Sequence, residues 1–459
     1  MITEPNNYEF QHPDPNSRLN KFRSIAYDPE LQQLKQILIG INRWEDDNIQ
    51  KLFKRAKLGR PPTRLATIRE ILYIYEKYKN ERMESGNVFM PHAMHGQISN
   101  NGQGVHICDQ VGNNIPMNAN NDDFQLNTLV AGRPKAGKSS GVFCWLSQLL
   151  FLPLLIFDIK NIWRHRARAL NAKVIQPPFH IDLEPPRGIH WYDWIFSIAD
   201  GISSICGLQF GVAPLLEAAK IALQQRQRYI DHTRTNTSLS LMDIFKALDF
   251  VNIAGFKRDY ILSCKAALQL IIGPNDLFAA RKGIPLEEIL NGRYTIECCY
   301  LSAMQCKFLA FYFLNYLLQA SYQRLEKVHI SRLVFIDDSG SFINRPDNVF
   351  GQAPKTSFWG DMLSKLRSSG TGLIFADQLI SSIFDDVKRL CGNWIIVGGL
   401  NIENYEEVMA AMKLTKEQAD FIGKMKTREC IAYFPLLYPR PIYGVVPLVS
   451  SIAEGHFNE

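Results

Sequence analysis

The residues with the clearest chemistry are Gly132, Arg133, Pro134, Lys135, Ala136, Gly137, Lys138, Ser139 and Ser140. Their Gly-x-x-x-x-Gly-Lys-Ser spacing is that of a phosphate-binding loop. Glycines let the chain wrap so that backbone N–H groups converge on phosphate oxygens, Lys138 reaches the β- and γ-phosphates, and the Ser139 hydroxyl meets Mg²⁺. An apolar run at 127–130 precedes the loop and a helical pattern follows, so a helix amino terminus adds a favourable dipole. Pro134 and Lys135 stiffen the loop and add positive charge. The expected ligands are ATP and Mg²⁺.

Such a loop needs a carboxylate at a second strand end to hold the metal. The apolar run 333–336 ends in Asp337 and Asp338. Asp337 is assigned to the Mg²⁺ shell and Asp338 to polarising the attacking water, where many ATPases carry Glu. The shorter side chain acts through a second water or slows hydrolysis. The plainer alternative is an acidic turn closing a buried strand.

Several further segments resemble the HerA/FtsK superfamily of DNA-pumping motor ATPases, which includes helicases and conjugative coupling proteins. The run ending in Asp158 and Lys160 is similar to its Asp-x-Lys element, with Asn161 where Gly often follows. Residues 365–378 are similar to its helix-Arg-x-x-Gly-strand-Gln element, with Asp377 where Thr or a small residue is common. The likeness covers roughly 124–449. It implies that Gln378 senses the γ-phosphate and that Arg367 enters a neighbouring subunit's site as an arginine finger. It also implies an ATP hydrolase of DNA translocase or helicase type, a homo-oligomeric and expectedly hexameric ring acting on double-stranded DNA. Other readings are a regulatory ATPase that controls a partner nuclease or effector subunit, a soluble conjugation-type coupling ATPase, and a small-molecule kinase, for which no acceptor pocket is suggested.

A trans arginine requires an oligomer, and a closed ring is the economical symmetric solution. Basic residues could then grip a polymer through its phosphates without reading bases. Candidates are Lys54, Arg55, Lys57 and Arg60 in the basic run 51–64, Arg164, Arg166 and Arg168 after the second core strand, and the stretch 224–228. Each also reads as a solvated helix face, and for Arg164, Arg166, Arg168 and 224–228 that is the commoner reading.

The elements that must position these groups are apolar runs at 127–130, 154–157, 294–297, 333–336, 373–376, 394–397 and 429–433, alternating with helical patterns. This predicts an α/β fold: a RecA-like P-loop core with a parallel-rich sheet. The expected division is a flexible arm at 1–30, an N-terminal helical module with small strands at 31–120, an ATPase core at 121–196 and 289–449, a helical insertion at 197–288, and a tail at 450–459.

With 459 residues, 46% hydrophobic and 21% charged, the chain can bury a large core, and its net charge of +6 permits a nucleic-acid partner without demanding one. The nine cysteines have no C-x-x-C spacing and read as reduced core residues of a cytoplasmic protein; the alternative is a metal site with His92 and His95. The start lacks the pattern of a secretory signal. The apolar stretch 142–157 is interrupted by Gln148 and Pro153, so no membrane span is expected.

Overall fold

The computed structural model describes residues 31, 35, 47–84, 89, 104–111, 115–176, 183–235, 237–252, 258–273, 286–322, 329–343, 358–383, 385–438 and 440–447. The expected arm at 1–30, the tail at 450–459 and the pair His92 and His95 lie outside these residues. The chain forms two compact units, residues 1–98 with 111–115, and residues 99–110 with 116–459.

The smaller unit is built on α1 (Asp47–Leu58) and α2 (Pro61–Glu84). Ile49, Leu52, Phe53 and Ala56 recur at i, i+3, i+4 and i+7, so they share a face of α1, and they cluster with Leu31, Ile68, Ile71 and Ile74. Pro61 suits the first position of α2, where its missing N–H costs no helical hydrogen bond. The remaining face of α1 and the turn after it expose Lys54, Arg55, Lys57 and Arg60.

The larger unit is organised by a sheet that has eleven strands among the described residues. They are β1 (Val105–Gln110), β2 (Pro116–Ala119), β3 (Thr128–Ala131), β4 (Leu154–Asp158), β5 (Lys173–Ile175), β6 (Arg293–Glu297), β7 (Arg332–Asp337), β8 (Thr371–Asp377), β9 (Asn393–Val397), β10 (Glu429–Tyr433) and β11 (Ile442–Val445). Their order is β2-β1-β11-β10-β9-β3-β8-β7-β4-β6-β5. The seven strands from β9 to β5 are parallel. Their near-continuous apolar sequences follow from burial on both faces. The alternation along β4 shows this: Leu154 and Ile156 join the cluster of Val142 and Trp145, while Phe157 faces the other way onto Phe313, ring centroids 6.0 Å apart.

Two features depart from the sequence expectation. The run 429–433 is a strand, but β10 pairs antiparallel with β9, because residues 398–428 stay at the carboxyl end of β9 and the chain turns back from there. The small strands expected in the N-terminal module, β1 and β2, instead extend the large sheet through β11. Trp145 ties them in, its indole N–H donating to the Ile107 carbonyl at 3.0 Å.

Helices cover the sheet. The phosphate-loop helix α3 (Lys138–Ser147) follows β3, and the short α4 (Arg164–Ala169) follows β4. Between β5 and β6 run α5 (Trp191–Cys206), α6 (Val212–Thr233), α7 (Leu241–Ala247), α8 (Arg258–Ile272) and α9 (Leu286–Asn291), where the helical insertion is expected. The buried α10 (Ala303–Ser321) starts at a capping box made by Ser302 and Gln305. Its Tyr312 and Tyr316 meet Trp194 of α5 edge-on at 5.8 Å each. Then come α11 (Phe358–Ser368), α12 (Asp385–Leu390), α13 (Tyr405–Met412) and α14 (Lys416–Ile422).

Gly201 sets the approach of α5 to α10, since a Cβ there would lie 2.0 Å from the Phe311 ring. Gly201→Ala should therefore lower stability by roughly 1–3 kcal/mol through overpacking, despite the better helix propensity of Ala. Denaturant unfolding against wild type reads this; an unchanged or raised midpoint would contradict the packing described.

Candidate nucleotide-binding site

The site follows from strand order. β8 lies between β3 and β7, so the carboxyl ends of β3, β8, β7, β4 and β6 fall in a row along one edge. The phosphate loop leaves β3, and the next four strands end in Asp377, Asp337, Asp158 and Glu297. The crevice beyond such strand ends is where open α/β sheets place ligands.

The loop is braced from below. Gly132 has no room for a side chain, since a Cβ would lie 2.0 Å from the Val397 carbonyl oxygen. Gly137 has φ +100° and Lys135 has φ +59°. Gly398, at φ +62°, lets Ala136 rest on the end of β9, where a Cβ would come within 2.5 Å of the Ala136 Cβ. Arg133 donates its backbone N–H to the Gly399 carbonyl at 2.9 Å and its guanidinium to the carbonyls of Leu400 and Gly423 at 3.2 and 3.0 Å. Arg428 donates its backbone N–H to the Ala136 carbonyl at 2.9 Å. Lys138 is buried, and its Nζ donates to the carbonyls of Gly132 and Arg133 at 2.6 and 2.9 Å. Burial pushes its ammonium below the usual lysine range, against the fields of Asp337, Asp338 and Asp377. Ser139 is partly exposed; Pro134, Lys135 and Ser140 are exposed.

The strand-end acids have different partners. Asp158 is fully buried and accepts backbone N–H groups of Lys160, Ile162 and Trp163 at 3.0, 3.3 and 2.8 Å. It thereby folds the turn in which Asn161 takes φ +56°, a left-handed conformation that Asn tolerates in place of Gly. Glu297, also fully buried, takes the Arg164 guanidinium in a two-pronged pair at 2.6 and 2.5 Å. Asp377 accepts the N–H groups of Gln378, Leu379 and Gly340 at 2.6, 3.0 and 2.6 Å, so it fastens the loop after β7 to the end of β8. A Thr at that position could not accept so many bonds.

Asp337 is compensated least. Its Oδ2 accepts the Trp163 indole N–H at 2.9 Å and its Oδ1 the Asp338 N–H at 3.2 Å. Burial pushes its carboxyl up to about 6; the indole bond opposes this, and Asp338 and Asp158 add to it. Asp338 sits at φ +49° with Lys160 Nζ 2.5 Å from its Oδ2. Among the described residues no three His, Cys, Asp or Glu side chains converge to hold a metal by themselves. Mg²⁺ takes one or two carboxylates and completes its shell with water and substrate phosphates, and Asp337 with the Ser139 hydroxyl fits that mode.

The other expected residues lie as follows. Gln378 is half-buried at the end of β8, beside this row. Arg367 is exposed near the end of α11, at the amino end of β8, and so does not join its own chain's site. Of the three arginines in and around α4, Arg164 is taken by Glu297 and Arg166 stacks over Trp163 and Phe143, 5.2 and 5.6 Å from their ring centres, 3.3 Å from Ser140 Oγ. Arg168 is exposed. Sequence reasoning missed Gly398, Gly399, Arg428 and Trp163, which support the site from segments far away in the chain. The adjacent glycines after the run 394–397 were the one signal available. The nine thiols are free, eight of them buried and Cys299 partly so.

A phosphate-loop strand at the centre of a parallel sheet, with one strand between it and the acid-ended β7, makes this the core of a RecA-like P-loop ATPase fold. The chain shares its fold with solved structures. It is similar to VirB4 of Thermoanaerobacter pseudethanolicus, with TM-score 0.57 and 13% identity over 76% of this chain and 98% of that one. It is also similar to the bacterial conjugative coupling protein TrwB, with TM-score 0.54 and 13% identity over 77% and 92%. TrwB with the ATP analogue ADPNP aligns at TM-score 0.53 and 12% identity over 77% and 92%. No protein-family model and no curated protein sequence matches the chain.

The raised Asp337 carboxyl has a signed consequence. Between the ordinary Asp value near 4 and the folded value of about 6, the folded chain holds a proton that the unfolded chain has released. Its contribution to stability is complete below the lower value and is lost as pH rises through the upper one. Without Mg²⁺, wild type should lose up to about 3 kcal/mol relative to Asp337→Asn between pH 4 and pH 7. Parallel denaturant titrations would show it; a constant difference across that range would disprove the buried, under-compensated carboxylate.

Proposed function

We propose that this chain is a Mg²⁺-dependent ATP hydrolase whose ring, expectedly hexameric, drives translocation along or unwinding of double-stranded DNA. The observation that carries the reading is the row of strand-end acids beside the phosphate loop, with Asp337 under-compensated and Asp338 next to it. TrwB, which shares the fold, has been solved with ADP and Mg²⁺ and with ADPNP.

In this reading the backbone N–H groups of 132–140 and Lys138 hold the phosphates, while Ser139 and Asp337 hold Mg²⁺, which when bound offsets phosphate charge. Asp338 orients water for attack on the γ-phosphorus; the bond to the bridging oxygen breaks, ADP leaves, and the water proton passes to Asp338. Gln378 reports the γ-phosphate. Arg367 completes a neighbouring copy's site and stabilises the charge of the transition state.

The exposed residues Lys54, Arg55, Lys57, Arg60 and Arg168 are the proposed phosphate-backbone contacts on DNA. Arg164 and Arg166 support the site from within and are proposed for DNA only secondarily. A conjugation-type coupling ATPase is a second reading, favoured by the likeness to VirB4 and TrwB. Among the described residues no helix is long and apolar enough to cross a membrane.

Three measurements test the proposal. Hydrolysis should need Lys138 and rise with duplex length; a rate indifferent to DNA of any length would remove the motor reading. Arg367→Ala and Asp338→Asn should each cut kcat by roughly a thousandfold while retaining nucleotide. Mixing the two inactive variants should restore part of the activity, since some interfaces then pair an intact Asp338 with an intact Arg367. A mixture that stays inactive, with native mass showing mixed assemblies, would refute the trans arginine.

A further inference from the structure

Lys160 has a position the reading above does not use. Its delivery is built in: Asp158 accepts three backbone N–H groups of the turn 160–163, Asn161 takes the left-handed conformation, and Lys160 Nζ ends 2.5 Å from Asp338 Oδ2. Asp338 is delivered from the other side by its own left-handed backbone and the N–H it gives to Asp337. Two lysines of this edge are thus held differently. Lys138 rests on two neutral carbonyls, whereas Lys160 rests on the carboxylate assigned to water activation. Lys160 follows the carboxyl end of β4, next to the end of β7 in the same row of strand ends as the phosphate loop.

We propose that Lys160 is a γ-phosphate-binding residue that exchanges Asp338 for the γ-phosphate when ATP binds, so that the group to be cleaved also releases the carboxylate that activates water. The inference rests on the ATPase reading above. The exchange is cheap on the protein side, because the Lys160 side chain is 46% exposed and ion pairs that open to solvent are weak. It is favourable on the ligand side, because a terminal phosphate carries more charge than a carboxylate and offers three acceptor oxygens. ADP lacks that group, so the Lys160 to Asp338 pair persists with ADP and the water-activating carboxylate stays neutralised. Lys160 thereby distinguishes ATP from ADP, a task that Lys138 and the loop amides, which also contact the β-phosphate, perform less sharply.

The test is equilibrium binding of ADP and of ADPNP, each with Mg²⁺, to the full chain. Lys160→Met should bind ADP within about twofold of wild type and ADPNP about tenfold more weakly or worse, the worth of one charge-assisted hydrogen bond. Lys160→Arg should keep most of the preference. In crystal structures of wild type with each nucleotide, Lys160 Nζ should contact Asp338 in the ADP complex and the γ-phosphate in the ADPNP complex. Equal weakening of both nucleotides, or no weakening, would overturn the inference, as would an ADPNP complex in which the pair with Asp338 is intact; this crystallographic readout serves even if the variants misfold. Wild type that binds neither nucleotide would bring down the ATPase reading with it, whereas wild type that binds both without the Lys160 effect would leave that reading standing.

Discussion

The structure depends on how four acids are kept at the buried ends of four neighbouring parallel strands. Removing a carboxylate from water costs several kcal/mol unless hydrogen bonds or an opposite charge replace the solvent. Asp158 and Asp377 are compensated by three backbone N–H groups each, and Glu297 by a guanidinium. Asp337 has one indole N–H and one backbone N–H, and its carboxyl is accordingly pushed up to about 6. The three compensated acids are structural, in that their bonds shape the turns after β4 and β8 and fix α4. The poorly compensated one gains most from a divalent cation. Unequal compensation along a single edge therefore separates scaffold from site.

The second support is the reversal of chain direction at β10. Because β10 is antiparallel to β9, it begins at the edge where the parallel strands end, and Arg428, just before it, lands on the phosphate loop. Its guanidinium is fixed by the Val446 carbonyl beyond β11 at 3.2 and 2.7 Å. A fully parallel continuation would have put the start of this strand at the far end of the sheet. The loop then would have lacked that neighbour, and the Gly398 and Gly399 shelf would have been its main support.

The seven core runs, six of them parallel strands and one the antiparallel β10, were legible because strands buried on both faces are nearly continuous in apolar residues, a pattern unlike amphipathic helix. Strand direction was not, since the run 429–433 reads the same in either sense and only its neighbours decide. The short β5 and the edge strands β1, β2 and β11 carry little pattern of their own. Within the site, the loop and the acids ending β7 stood out through spacing. Arg164, Arg166 and Arg168 each read as part of a solvated helix face, yet the partner of Arg164 lies 133 residues away at Glu297 and that of Arg166 is an aromatic stack. Long-range pairing of this kind leaves no local trace. Asp377 looked like a departure from a family pattern, and its three bonds give that departure a structural reason.

The distance between the two functional edges decides how an arginine at Arg367 can act. β8 has seven residues, so its ends lie roughly 20 Å apart at about 3.3 Å per residue. Arg367 precedes its amino end, whereas the phosphate loop and the acids line the carboxyl end. No rotamer of an arginine side chain spans that length, so within one chain Arg367 and the nucleotide are separate. A contact between them requires a second copy placed head to tail, its amino edge against the first copy's carboxyl edge. Head-to-tail contacts repeat, and they close into a ring or continue as a filament according to the rotation per step. If Arg367 serves catalysis, then β8, with Gln378 just after its carboxyl end and Arg367 on the helix just before its amino end, is the rigid element that links one site to the next.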